Sequence, residues 1–119
     1  MQDFRELKVW TKAHALTLAI YRATERFPAA ERYGLTSQMR RAAASVAANI
    51  AEGCVKSTDA DFARFLRISL GSASELEYFI LLARDLTLLK DDLPDRLTAD
   101  TQEVKRMLTA LIARLRADS

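Results

Sequence analysis

Apolar side chains recur every three or four residues along the chain, the spacing that places them on one face of an α-helix. The first predicted helix runs from about Phe4 to Phe27, where Pro28 ends it. Its apolar face consists of Val9, Ala13, Leu16, Thr17, Ile20, Thr24 and Phe27. A second helix is predicted from about Leu35 to Glu52. Its inward residues are Leu35, Met39, Ala42, Val46 and Ile50.

Start and stop signals divide the second half of the chain in the same way. Gly53 follows the second helix where a left-handed glycine commonly ends one. Thr58 and Asp61 have capping-box spacing and predict the start of a third helix, which extends to about Leu89. Its inward residues are Phe62, Phe65, Leu66, Ala73, Leu76, Ile80 and Ala83. The residues predicted to break it are Asp91, Asp92 and Pro94.

The last segment has the most regular apolar spacing. A heptad face is formed by Leu97, Thr101, Val104, Leu108, Leu111 and Leu115. No strand pattern and no internal repeat interrupts the four helical segments. Short connections between long helices favour antiparallel neighbours. The sequence therefore predicts an all-α fold, an antiparallel up-down four-helix bundle, with residues 1–119 as one domain.

Composition is that of a globular protein, with 50% hydrophobic and 29% charged residues. Cys54 is the only cysteine, which fits a reducing compartment, and the charged N-terminus does not resemble a signal peptide. The longest apolar run is residues 78–83, too short to span a bilayer. We therefore expect a cytoplasmic protein that does not enter membranes.

Several motifs resemble one bacterial family. They are Leu7 and Trp10, Phe27-Pro28 with Glu31, the run from Tyr33 to Ala43, the run from Asn49 to Gly53, Phe62, Phe65-Leu66, Gly71-Ser72 and Glu75. Together they resemble the four-helix-bundle family of 23S ribosomal RNA intervening-sequence proteins. The resemblance covers nearly all the chain and fades after about Leu89.

The resemblance implies an assembly more than an activity. Proteins of this family are encoded within insertions in ribosomal RNA genes or stand alone, with no settled activity. The family is similar to the accessory variability protein of diversity-generating retroelements, a pentamer that binds nucleic acid and contacts a reverse transcriptase. By analogy, the resemblance implies a homo-oligomer, a pentamer, with RNA or DNA and a reverse transcriptase as candidate partners. The net charge of +2 departs from the strongly basic retroelement protein.

Positive charge is concentrated in the first half of the chain, where residues 1–50 carry a net charge of +4 and residues 51–119 carry −2. On the first helix, Lys8, Lys12, Arg22 and Arg26 lie within about 40° of a common direction, with no acid between them. They form a stripe roughly 27 Å long that could neutralise several phosphates without reading base sequence. The alternative is an ordinary solvated helix face.

Two adjacent arginines are further candidates for nucleic-acid binding. Arg40 and Arg41 point about 100° apart, so their two side chains cannot bind the same group together. We expect one of them to pair with an acid, for which Glu52 and Glu75 are the candidates.

Surplus apolar and small residues suggest an interface. Ile68, Phe79 and Leu86 widen the apolar face of the third helix to about 160°, more than one core needs. On the second helix, the small residues are Ala44, Ala47 and Ala51. Either both features are ordinary packing within the bundle, or they form an interface between subunits.

The remaining motif positions are interpreted structurally. Asn49 and Glu52 lie at the edge of the inward face, where a hydrogen bond to a neighbouring helix or loop would fix register, and Gly53 ends the helix. Gly71 is expected to mark a close approach of two helices.

The sequence contains no recognisable catalytic site and implies no cofactor or metal. His14 is the only histidine, which excludes a histidine-based metal cluster, and Cys54 has no neighbouring histidine in sequence. An enzyme would need a site formed between subunits. The favoured interpretation is a non-enzymatic oligomer that binds RNA or DNA, and the alternative is an adaptor that docks a partner protein.

Overall fold

The helices are arranged as an all-α bundle in the computed structural model, which describes residues 2–118. Four α-helices span Lys8–Thr24 (α1), Leu35–Gly53 (α2), Asp59–Asp85 (α3) and Leu93–Asp118 (α4). Each helix packs against the next one in the chain, and α1 and α4 close the ring. The described part of the chain contains no strand, so the predicted antiparallel four-helix bundle is confirmed.

The first helix is shorter at both ends than the predicted segment 4–27. A separate 3₁₀ turn covers Phe4–Glu6, and Asp3 caps it by accepting the backbone N–H of Arg5 at 3.0 Å. Leu7 then adopts an extended conformation before α1 begins, so its side chain packs against the core from outside the helix. At the other end, the N–H of Phe27 donates to the carbonyl of Thr24 in a 3₁₀-type turn.

Gly53 does not end α2 in the left-handed conformation that its position predicted. The residue is helical, no glycine in the described chain has a positive φ, and Cys54 is the C-cap. Glycine is required at position 53 because the neighbouring helix leaves no space for a side chain. A Cβ at position 53 would lie 2.8 Å from Cδ1 of Phe62 and 3.1 Å from Cβ of Phe65. The first turn of α3 therefore packs directly on the backbone of α2.

The third helix starts as predicted and ends earlier. Thr58 caps α3 by accepting the N–H of Asp61 at 3.1 Å. The helix ends at Asp85, not near Leu89, because Thr87 adopts a left-handed φ of 62°. The N–H of Leu88 bonds to the carbonyl of Ala83 at 2.9 Å, which is the Schellman pattern.

This end was missed because a β-branched residue rarely takes the left-handed position that glycine usually fills. The turn is stabilised instead by burial of Leu89, which is 3% exposed. Pro94 is the second residue of α4 and belongs to its first turn, where proline is tolerated. It begins the fourth helix and does not break the third.

The core lies along the bundle axis and contains the predicted inward residues with few exceptions. On α4, Leu97, Thr101, Val104 and Leu108 are buried, whereas Leu111 and Leu115 are only half-buried. Ile112, which the heptad left out, is buried in their place. A straight helix has 3.6 residues per turn, so the inward face drifts away from a strict seven-residue repeat.

No helix among residues 2–118 is both long and apolar enough to cross a membrane.

Candidate nucleic-acid interface

Three cations of the basic stripe, Lys8, Lys12 and Arg26, line hollows that α4 borders. All four cations of the stripe, Arg22 included, are exposed. The stripe does not remain free of acids once the chain folds, because α4 supplies two. Nζ of Lys12 lies 3.1 Å from Oε1 of Glu103, and Asp100 lines the same small hollow.

The same face contains arginines that the stripe alone did not reveal. At one end Arg114 of α4 lines a hollow with Lys8, and Glu6 is the acid there. At the other end Arg96 and Arg26 border a second hollow. This second hollow also contains Lys90, Asp91 and Asp92.

A signal for these two arginines was present in the sequence. Arg96 and Arg114 are eighteen residues apart, five turns of α-helix, and so lie on one flank of α4. The prediction considered only the inward positions of this helix, and the flank that meets α1 could be identified only from the packing.

We call this surface the α1–α4 face, and it is defined by six cations and two acids. They are Lys8, Lys12, Arg22, Arg26, Arg96, Arg114, Asp100 and Glu103. Of the six cations only Lys12 forms an ion pair with another described residue. Each end hollow keeps a net positive charge despite Glu6 at one end and Asp91 and Asp92 at the other, whereas Asp100 and Glu103 make the middle net negative.

Arg40 is placed away from this face and joins α2 to α1. Its Nε donates to Oγ1 of Thr24 at 2.9 Å, and a terminal nitrogen donates to the carbonyl of Tyr21 at 3.2 Å. The guanidinium also lies 4.6 Å from the centre of the Tyr21 ring. Arg41 is exposed. Neither arginine pairs with Glu52, Glu75 or any other described acid, so the expected ion pair does not form.

The residues predicted to form a subunit interface fall into two groups. Ile68 and Leu86 are exposed by 43% and 51%, while Phe79 is half-buried and packs against the core. Ala47 is buried inside its own bundle. Ala44 and Ala51 are half-buried. The apolar flank of α3 is thus open to solvent, whereas the small-residue face of α2 is partly used within the chain.

Asn49 bonds within its own helix instead of to a neighbouring one. Its Nδ2 donates to the carbonyl and the Oγ of Ser45, at 2.8 and 3.0 Å. The Ser45 hydroxyl lies 2.9 Å from that of Ser72, so the connection to α3 passes through the serine pair. Glu52 is exposed and makes no side-chain bond to another described residue.

Gly71 does not mark a close approach of helices. A Cβ built there would meet no atom within 4 Å apart from those of its own surroundings on the helix. The close approach between α2 and α3 occurs elsewhere, where Oγ of buried Ser69 donates to the carbonyl of Val46 at 2.8 Å.

The two residues considered for catalysis, His14 and Cys54, lie in different environments. The exposed ring of His14 stacks on Trp10 with centroids 4.9 Å apart. Cys54 is 4% exposed, and burial, aided by the charge of Asp3, raises the pKa of its thiol. Within residues 2–118 no three His, Cys, Asp or Glu side chains are grouped closely enough to hold a metal ion.

Comparison with known proteins agrees with the sequence motifs. Residues 5–110 match the family model described as 23S rRNA-intervening sequence protein, so the match includes most of α4, where the motifs had faded. A crystal structure from Bacteroides thetaiotaomicron, described as a protein with unknown function from the S23 ribosomal protein family, is similar in fold. The TM-score is 0.82 at 24% identity, over 88% of this chain and 95% of that one. No curated protein matches the chain.

Proposed function

The chain belongs to the 23S rRNA-intervening sequence protein family, and from that premise we propose that it is a non-enzymatic helical bundle that binds RNA or DNA through the α1–α4 face. The observation that carries the proposal is the group of cations that have no acidic partner. Five of the six on this face form no ion pair with described residues. Cations that are already solvated and unpaired can exchange their counterions for phosphates at little cost.

Binding of this kind is electrostatic and indifferent to base sequence. Lys and Arg contact phosphate oxygens, and each phosphate neutralised adds about 0.9 to the slope of log affinity against log salt for B-form DNA. Base readout requires a helix or ribbon that enters a groove, and the α1–α4 face is a shallow trough between two helices. We therefore expect affinity to fall steeply with salt and to vary little with sequence.

Charge reversal on the α1–α4 face tests the proposal. In Arg22→Glu with Arg26→Glu, two exposed cations are lost from the basic stripe. We expect fluorescence anisotropy to show at least about tenfold weaker binding to labelled RNA and DNA, and a salt slope lower by about 1.8 for duplex DNA.

The matched control reverses two exposed arginines elsewhere, Arg32→Glu with Arg67→Glu, which changes net charge by the same amount. This control should retain most of the affinity. Equal losses in both variants would show that only the total charge matters, and unchanged binding in the Arg22 and Arg26 variant would refute the proposal.

Assembly into a homo-oligomer is a second part of the proposal. It is supported by the exposure of Ile68 and Leu86 on one flank of α3, with half-buried Phe79 between them. A pentamer is the assembly that the family resemblance implies. Light scattering at micromolar concentration should give a mass above that of the 13.4 kDa chain, and Ile68→Glu should reduce it. A wild-type mass equal to that of one chain would refute the proposed homo-oligomer.

An adaptor that binds a partner protein is the second candidate function. The observation in its favour is an open groove of about 410 Å³ between α3 and α4, bordered by Tyr78 and Leu81, which are 56% and 41% exposed. Aromatic and aliphatic residues beside a groove are typical anchors for a partner. A partner that is retained after nuclease treatment and lost in Tyr78→Ser would favour this function, with Tyr33→Ser, at another exposed tyrosine, as control.

A further inference from the structure

The acids of the α1–α4 face divide its positive charge into two clusters. The first cluster is Lys8 with Arg114, and Glu6 beside them leaves it a net charge of +1. The second is Arg26 with Arg96, together with exposed Arg22 four residues before Arg26; Lys90, Asp91 and Asp92 line the same hollow, so its net charge is +2. Between them, Asp100 and Glu103 outnumber the single cation Lys12, which is already paired with Glu103 at 3.1 Å. The middle of the face is therefore the part where a phosphate is least favoured.

The length of the stretch between the two clusters follows from helix geometry. On α1 no cation lies between Lys12 and Arg22, and Ala15 lines the hollow that Asp100 and Glu103 border. Ten residues correspond to about 15 Å at the rise of an α-helix. The outer cations Lys8 and Arg26 are about 27 Å apart by the same rise.

A single strand that followed the face would meet the acids. Stacked nucleic acid carries a phosphate about every 3.4 Å along each strand, so about four phosphates would lie over the middle. A duplex that crosses the face avoids this, because its groove separates two lines of phosphate. The major groove of B-form DNA is about 12 Å wide, close to the length of the middle.

We propose that the α1–α4 face binds double-stranded nucleic acid across a groove, with one phosphate backbone on Lys8 and Arg114 and the other on Arg22, Arg26 and Arg96. This inference rests on the proposed function and specifies its substrate. Asp100 and Glu103 act as a selectivity element that lies beneath the groove and disfavours single strands. Long Lys and Arg side chains let the two clusters adjust to the groove of A-form RNA as well as B-form DNA.

The test compares a labelled 24-base-pair duplex, as RNA and as DNA, with each of its single strands, by anisotropy at two salt concentrations. The wild-type chain should bind at least one of the duplexes about tenfold more tightly than the corresponding strands. In Asp100→Asn with Glu103→Gln, affinity for single strands should rise about tenfold while affinity for the duplex changes less than threefold.

The control for net charge is Glu52→Gln with Glu75→Gln, two exposed acids that lie on α2 and α3. It should leave the ratio of duplex to single-strand affinity unchanged. Equal wild-type binding to both forms, or an equal gain for both in the Asp100 and Glu103 variant, would overturn the duplex inference alone. Absence of binding to any of these probes at low salt would overturn the proposed function and the inference together.

Discussion

Helices α2 and α4 meet their neighbours in different ways. Contacts to α2 reach its backbone: Oγ1 of Thr17 on α1 donates to the carbonyl of Ala43 at 3.1 Å, and Oγ of Ser69 on α3 donates to that of Val46 at 2.8 Å. Polar contacts to α4 are made by the ends of long side chains. Lys12 pairs with Glu103, and Glu77 pairs with Lys105 at 2.8 Å.

The difference follows from side-chain size. The α2 sequence is rich in alanine and serine, so neighbouring helices approach closely enough for a hydroxyl to reach a carbonyl. The apolar face of α4 is buried in the core, but its flanks carry Lys, Arg, Asp and Glu, so its polar contacts are made by partly solvated charges. The hydrogen bonds from Thr17 and Ser69 thus reach the backbone of α2, whereas the contacts to α4 include ion pairs that salt can screen.

The largest effect is expected where α2 has no room for a side chain. Gly53→Ala places a Cβ 2.8 Å from the Phe62 ring and 3.1 Å from Cβ of Phe65, so α3 must shift. We expect the free energy of unfolding to fall by about 1–2 kcal/mol, because overpacking exceeds the gain in helix propensity. Urea denaturation followed by circular dichroism measures it.

Gly71→Ala is the matched control, because the same substitution there meets no neighbouring atom within 4 Å. It should raise the free energy of unfolding by about 0.5–1 kcal/mol. Stabilisation by both alanine substitutions would contradict the close packing of α2 on α3.

The next effect concerns a hydrogen bond to the α2 backbone. Ser69→Ala removes the donor to the carbonyl of Val46 without adding volume. We expect a loss of about 1 kcal/mol in the free energy of unfolding, measured by urea denaturation. Ser74→Ala, at an exposed position of the same helix, should change stability by less than about 0.5 kcal/mol. Equal effects at both positions would exclude a role for the buried hydroxyl.

A smaller, pH-dependent effect is expected between α3 and α4. Hydrogen bonds from Lys105 and Gln102 lower the pKa of Glu77 below its ordinary value of 4.5. The stabilisation is therefore fully present above pH 4.5 and disappears as the pH falls through the lower, folded-state pKa. Glu77→Gln should lower the free energy of unfolding by up to about 1 kcal/mol at pH 7 and leave it unchanged below the folded-state pKa, as measured by urea denaturation at the two pH values. An equal loss at both pH values would contradict a role for the charge of Glu77.

The smallest effect is expected at the ion pair between α1 and α4. Side chains of Lys12 and Glu103 are 58% and 42% exposed, so water and salt screen their attraction. A double-mutant cycle to alanine should give a coupling energy below about 0.5 kcal/mol that vanishes in high salt. A coupling above about 1 kcal/mol would mean that α4 is held as specifically as α2.

Much of the fold could be predicted because apolar spacing determines which face of each helix is buried. The predictions that were wrong involve residues whose role depends on a neighbour brought in by folding. Gly53 looked like a helix terminus but provides space for Phe62, and Thr87 ends α3 in a conformation that its side chain disfavours. Neither the space needed at Gly53 nor the left-handed φ of Thr87 can be inferred from the apolar spacing of a single helix.

The candidate site was predicted less completely for the same reason. The α1 stripe is a property of one helix and could be identified from spacing, but Asp100, Glu103, Arg96 and Arg114 come from another helix. Which flank of α4 meets α1 depends on the order and handedness of packing. Spacing within a single helix cannot determine that order.

The burial of Cys54 has a practical consequence. Only the thiolate reacts with alkylating reagents, and this thiol is both enclosed and shifted toward its protonated form. Modification at neutral pH therefore requires the connection between α2 and α3 to open transiently, and its rate measures how often that opening occurs. Because this cysteine is the only one in the chain, the native sequence already contains a single-site chemical probe of local unfolding.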